Sequence, residues 1–465
     1  MAEDLEDMRI SSNGLSISPR GGYVLYWMQQ AQRAWDNPAL DHAVMLADRL
    51  GLPVAAVLGL TSSYPEANLR HYAFMLEGLE ETASALADRK IPLVMKLAEP
   101  WRAALELSEN AACVVCDTGY TPIQLAWARM FLEKAEVRVD RVETDVVVPV
   151  FAVSDKSEYA ARTIRPKILK IRDGFLKPHE NRTPKRSGLG LDLHNEPLPF
   201  CERLLNGLPL DETAGRVSGF YRGGSGQARV ILERFIEKGL PEYGMGGDPF
   251  APHRVSRLGP YLHFGQISPV TVALAAKSAG HTPQAATDAF LEQLVVRREL
   301  AANFTAYTPD CGDYSSVPSW AGKTLHSHLA DKRPALYRLE ELEASKTHDP
   351  YWNAVMTQMR VTGFAPNHLR MYWGKMVLFW SETPKQAHAN LMRLNNRYFL
   401  DGRDPNSYAG VGWIFGLHDR PFKERPVYGM VRSMTAEGLL RKGDIAAYAA
   451  SVKSLESPQS GPNGP

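Results

Sequence analysis

Cysteine is scarce, with four in 465 residues. Two of them form Cys113-Val114-Val115-Cys116 inside an apolar stretch with no second pair, so neither a zinc site nor a redox dithiol is indicated, and the pair reads as core. Long apolar runs are missing too. Without a signal peptide or an apolar run of about 18 residues, a spanning helix is excluded, and a soluble, intracellular (cytoplasmic) protein is expected. Charge of one sign is not in excess, since 53 Lys and Arg face 52 Asp and Glu, for a net +1. Any nucleic-acid contact must therefore come from a local basic face.

The length exceeds what one hydrophobic core usually serves, so two domains are expected. Apolar runs at Tyr23–Trp27, Val54–Leu58, Leu93–Leu97, Cys113–Cys116 and Val146–Val150 alternate with helical stretches at Ala67–Ala87 and Pro122–Ala135. That alternation predicts an α/β N-terminal domain with a Rossmann-like parallel sheet over 19–150. Residues 151–195 read as a connector, its Lys, Arg, Pro and Gly-rich part from Lys177 to Leu191 mobile or draped over the surface. From 196 to 450 helices dominate, with start signals at Ser268-Pro269 and Thr282-Pro283, so an all-α second domain follows. The tails, 1–18 and 451–465, read as disordered.

Three segments carry chemistry. Seven residues separate Trp373 from Trp380, about two helical turns, and Trp352 lies upstream. Indoles spaced like this suit electron transfer, although spacing alone is equally met by core anchors. Next comes Leu394 to Tyr408, dense in amides, carboxylates and guanidinium groups. Arg370, Asn395, Asp401 and Asp404 could converge there on a flat, hydrogen-bonding heterocycle, or the segment is a solvated loop of Asp-Arg pairs. Third, Val255 to Ser268 places Ser256, Arg257 and backbone amides at a helix entrance, a weak phosphate signal that is neither a Walker loop nor a GxGxxG fingerprint.

Several motifs in order resemble one family. They are Tyr23 to Met28 with Arg33 and Asp36-Asn37, Glu158 to Lys167, Ser256 to Ser268, Val296 to Ala301, Leu369 to Trp373, Asp401 to Pro405, Gly416 to Asp419, and Lys423 to Gly429. Over roughly residues 20 to 450 the chain resembles the class II cyclobutane pyrimidine dimer DNA photolyases of the photolyase/cryptochrome family. The resemblance implies a deoxyribodipyrimidine photo-lyase, which repairs DNA by passing an electron from light-excited, reduced FAD to a flipped-out dimer. The alternative is a cryptochrome-like flavin photoreceptor without repair activity.

By motif, Tyr243, Ser256, Arg257, Leu258 and Arg298 would bind the diphosphate and ribityl part of FAD, with Gly259 where serine is more usual. Arg370 and Asp401 would form a salt bridge beside the isoalloxazine, and Asn395 would face N5, where an amide influences which redox state persists. Trp373, Trp352 and Trp380 would form the electron-transfer chain, Trp373 nearest the flavin. In the lesion pocket the resemblance leads us to expect an acid at 293, where this chain has Gln293; Glu292 is the alternative if the register slips by one. Trp413 would stack on the flipped dimer. Arg297, Arg162, Arg165 and Lys167 are candidate DNA contacts, and Lys170, Arg172, Arg420, Lys423, Arg425 and Arg432 extend the basic runs. An antenna chromophore of the 8-hydroxy-deazaflavin type is implied for the first domain. Dimer-containing DNA is the expected partner, a monomer the expected state, and no metal is expected.

Overall fold

The computed structural model describes residues 5–193 and 202–455. Its first domain is a six-stranded sheet in the order β1-β6-β5-β2-β3-β4. The strands are β1 Ile10–Ser12, β2 Tyr23–Trp27, β3 Val54–Gly59, β4 Leu93–Lys96, β5 Ala111–Asp117 and β6 Arg138–Val142. All neighbours pair in parallel except β1, which runs antiparallel to β6 at the edge.

Helices cover both faces, so β2 is buried at every position although its side chains alternate. Val24 and Tyr26 join the core under helix α1 (Pro38–Leu50) and helix α2 (Leu69–Asp88), while Tyr23, Leu25 and Trp27 join the opposite core. The same alternation sends Cys113 and Cys116 to opposite faces of β5, where the two thiols cannot share a ligand.

Two expectations need correcting. Residues 5–12, assigned to a disordered tail, form a 3₁₀ turn and the edge strand β1. The apolar run Val146–Val150 is buried but is not a strand; the strand is β6, whose charged residues hid its pattern. Side chains, not a neighbouring strand, satisfy the run's backbone. Arg9 donates to the Val146 and Val147 carbonyls at 3.1 and 2.7 Å. The Glu299 carboxylate accepts from the Val147 and Val148 amides at 2.7 and 3.0 Å, and Glu143 accepts from Val150 at 2.6 Å.

The connector contains a helix, Ala161–Phe175, and then lies along the first domain, where the amides of Arg182 and Lys185 donate to Asp41 and Asp48. The expected boundary at 195–196 lies outside the described residues. In the helical domain Ser268 caps Pro269–Lys277 as its sequence signals, whereas the helix after Thr282 starts later, at Gln284. At the C-terminus, the helix Ile445–Leu455 runs into the segment assigned as tail; residues 456–465 lie outside the described residues.

The two domains share one core. Phe74 of α2 and Val147 pack in the same cluster as Phe235, Tyr261 and Phe290 of the helical domain. Buried Arg70 on α2 donates to the carbonyls of Met359, Arg360 and Tyr398, and His71 meets Phe399 O. These groups satisfy the C-terminal carbonyls of helices Pro350–Thr362 and Pro384–Tyr398 from the other domain.

Candidate functional site

A cavity of about 300 Å³ opens in the helical domain, within the range of cofactor sites. Its wall contains Tyr243, Ser256, Arg257, Leu258, Arg298, Arg370, Asn395 and Asp401, every cofactor-binding position named from sequence. Gln293 and Trp373 line it too. The segments meet because the helix Asn367–Phe379 carries Arg370 and Trp373, Pro384–Tyr398 carries Asn395, and the turn after it carries Asp401.

The Arg370 guanidinium grips Asp401 with two parallel bonds of 2.9 and 3.1 Å, and its face lies 3.8 Å from the Phe399 ring centre. The polar cluster is thus a cavity wall, not a solvated loop. Asp404, also on the wall, is buried, which raises its pKa, but the His263 hydrogen bond and the charges of His263 and Arg298 prevail and hold it near 2. At Gly259 an added Cβ would come 2.5 Å from Asp401 Oδ2, so glycine there follows from the closeness of this carboxylate.

The tryptophans form a row in an order that spacing does not reveal. Trp352 stacks on Trp373 at 6.5 Å with planes 13° apart, and meets Trp380 edge-on at 5.7 Å. The row therefore runs Trp373, Trp352, Trp380, and the middle ring comes from another helix, Pro350–Thr362. Its indole N–H donates to Trp373 O at 2.9 Å. Trp380 caps its helix and touches Tyr337 and His348.

The helix that carries Gln293 is not a regular α-helix. Glu292–Arg297 is a π-turn, a distortion frequent at functional sites. Of the two neighbours Gln293 reaches the cavity, whereas Glu292 turns away and pairs with Arg165 (2.7 and 2.9 Å) and Arg297 (3.3 Å). Arg297 covers the Trp413 ring at 5.3 Å. Trp413, Arg297, Arg162, Arg165 and Lys167 do not line this cavity. Lys167 pairs with Glu158, and exposed Arg162 lies over Tyr159.

Sequence reasoning missed the aromatic supports Phe364 and Phe399. It also missed a second, smaller cavity of about 120 Å³ at the domain boundary. That cavity is lined by Tyr64, Tyr72, Trp127 and Phe264, by the amides of Gln29, Gln30 and Gln124, and by Arg403. These residues are scattered from 28 to 403, and no local pattern joins them.

The fold defines a class: an α/β sheet domain joined to a helical domain is the architecture shared with solved photolyases and a cryptochrome, and here the helical domain encloses the cavity with Trp373 in its wall. A solved archaeal photolyase from Sulfolobus tokodaii with two FAD molecules superposes with a TM-score of 0.67 at 16% identity, over 94% of this chain and 91% of that one. The DNA photolyase family model matches residues 24–185. A deoxyribodipyrimidine photo-lyase of Methanothermobacter thermautotrophicus is 41% identical over 95% of this chain and 97% of its own length. One from Oryza sativa subsp. japonica is 37% identical over 94% and 88%. The chain belongs to the DNA photolyase family.

Among the described residues no helix is long and apolar enough to cross a membrane.

Proposed function

We propose that the protein is a class II deoxyribodipyrimidine photo-lyase, a light-driven enzyme that binds DNA as a monomer and splits cyclobutane pyrimidine dimers. The observation that carries this reading is the single cavity joining the diphosphate-type donors Ser256, Arg257 and Arg298 to the heterocycle-type partners Arg370, Asn395 and Asp401, with Trp373 in its wall. That donor set fits FAD: hydroxyl and guanidinium groups suit phosphate, and a paired guanidinium, an amide and a carboxylate suit a flavin edge. Bound and reduced, FAD supplies the light-excited electron.

The chain's own groups do the rest. Arg370 and Asp401 hold each other in place, so neither charge is left unpaired beside the cofactor. The row of three indoles offers a path for recharging the cavity from Trp380 inward. Gln293 offers an amide N–H to a dimer carbonyl but no carboxylic proton, so lesion handling rests more on hydrogen bonding than on proton donation. Trp413 with Arg297 above it forms an aromatic and cationic platform for a flipped base pair, where stacking contributes about 1 to 3 kcal/mol per base. Arg165 joins this platform through Glu292, which pairs with both Arg165 and Arg297, and Arg162 and Lys167 on the same helix are further DNA contacts, although Glu292 and Glu158 spend part of the charge of Arg165 and Lys167. The smaller cavity, aromatic and amide-lined, suits an antenna of the deazaflavin type. Relatives at 37% and 41% identity with repair-enzyme names weigh for repair over a photoreceptor role.

The test is illumination of the reduced protein with a dimer-containing oligonucleotide. Recovery of thymine absorbance is expected, and no recovery would overturn the reading. In parallel, Gln293→Glu should change the repair yield; an unchanged yield would remove position 293 from lesion handling.

A further inference from the structure

We infer that Asn396 is a positioning residue which locks the amide of Asn395 in one orientation, with the carbonyl oxygen left for the flavin and the NH₂ turned away. The inference rests on the proposal that Asn395 faces flavin N5.

An asparagine amide can flip, exchanging donor and acceptor, and only its partners decide which end points where. The partners of Asn396 are unambiguous. Its Oδ1 lies 3.0 Å from the backbone N–H of Arg403, which can only donate. Its Nδ2 lies 2.6 Å from the carboxylate of Glu66, which accepts. Oδ1 and Nδ2 of Asn396 are therefore fixed, and the atom of Asn395 that lies 3.0 Å from Asn396 Oδ1 must be the NH₂. Among the described residues the carbonyl oxygen of Asn395 has no donor of its own, and Asn395 lines the flavin cavity.

The lock is itself held. Arg403 has a left-handed backbone, φ +68°, which aims its N–H back at Asn396, and its guanidinium donates to Asn396 O at 2.6 Å. Gly402 is pressed so closely that a Cβ would come 2.8 Å from Asn395 O and 2.9 Å from Asn396 Cα. Flipping Asn395 would set its oxygen against Asn396 Oδ1, two acceptors face to face. An oxygen held at N5 would accept a hydrogen bond from a protonated N5 and set its lone pair against that of a bare one, so the lock biases the bound flavin toward its reduced form.

The experiment measures the reduced-to-oxidised ratio of bound FAD against a reference dye in the dark, in the full-length holoprotein. In Asn396→Leu, which removes the acceptor, the ratio should fall about fivefold, the worth of one hydrogen bond. In the charge-conserving exchange Glu66→Gln with Asn396→Asp, position 396 keeps its oxygen for Asn395 and Arg403, and the ratio should return to that of the parent. If Asn395→Leu shifts the ratio but Asn396→Leu does not, the lock is wrong and the N5 reading stands. If neither shifts it, Asn395 does not face N5 and the inference falls with that reading. If the exchange fails to restore the ratio, the effect of Asn396→Leu came from lost packing, which also overturns the lock.

Discussion

At the scale of single residues, the middle indole carries more of the argument than its neighbours. Trp352 is fully buried and lies against both other rings, whereas Trp373 and Trp380 are linked through it. Phenylalanine keeps the bulk but gives up an electron far less readily. Trp352→Phe should therefore cut the rate of flavin photoreduction at least about tenfold, read from loss of the oxidised absorbance bands under blue light, while dithionite restores the reduced state. The lost Nε1–H···O bond to Trp373 should lower stability by about 1 kcal/mol, so a folded variant is expected. Normal photoreduction would show that the path runs elsewhere. Seven-residue spacing puts Trp373 and Trp380 on one helical face, but Trp352 and the place of Trp373 nearest the flavin were legible only through the family resemblance. Spacing alone leaves the order open, because it depends on how the two helices pack.

At the scale of elements, the segments that sequence misjudged are those decided by contacts with residues far along the chain. Val146–Val150 has the apolar content of a strand, but Arg9, Glu143 and Glu299 take the place of a ladder. Strand β6 has Arg138, Asp140 and Arg141 in five residues, and nothing local announces that His42 pairs with Asp140. The π-turn at Glu292–Arg297 departs from the 100° step on which helical register is judged, yet Gln293 still reaches the cavity. Glu299, just beyond that turn, gives this docking a pH dependence. Burial raises its pKa from 4.5 to about 8, against the opposing pull of the Val148 and Val147 amides, and its Oε2 has no partner among the described residues. With a folded pKa above the unfolded one, the folded state binds the extra proton. This contribution to stability is complete below about 4.5 and is lost as pH rises to about 8. Glu299→Gln keeps the accepting oxygen and cannot ionise. Its unfolding free energy, read from denaturant titrations, should stay level across this window while that of the parent falls by a few kcal/mol, at about 1.4 kcal/mol per pKa unit. Parallel slopes in the two proteins would refute this assignment.

At the scale of the whole molecule, the division into a sheet domain and a helical domain was legible from the alternation of apolar runs and from the change to capping signals. The residues that line the larger cavity were legible as a set, because Ser256, Arg298, Arg370, Asn395 and Asp401 sit in motifs shared with the family. Its walls of Phe364 and Phe399 and the smaller cavity were not, since contacts between residues hundreds of positions apart leave no local trace. The same long-range contacts decide how the protein comes apart. Arg70 reaches out of the sheet domain to satisfy helix ends in the other domain, and one apolar cluster crosses the boundary. A fragment beginning after the connector would expose the carbonyls of Met359, Arg360 and Tyr398 and the part of that cluster packed on Phe74, Val147, Val148 and the helix Ala161–Phe175. It should therefore not fold alone, and heating the intact chain should give a single cooperative transition whose calorimetric and van't Hoff enthalpies agree. The break that composition marks in the chain is thus a boundary of architecture and not of unfolding: the part that would capture light and the part that would spend it stand or melt together.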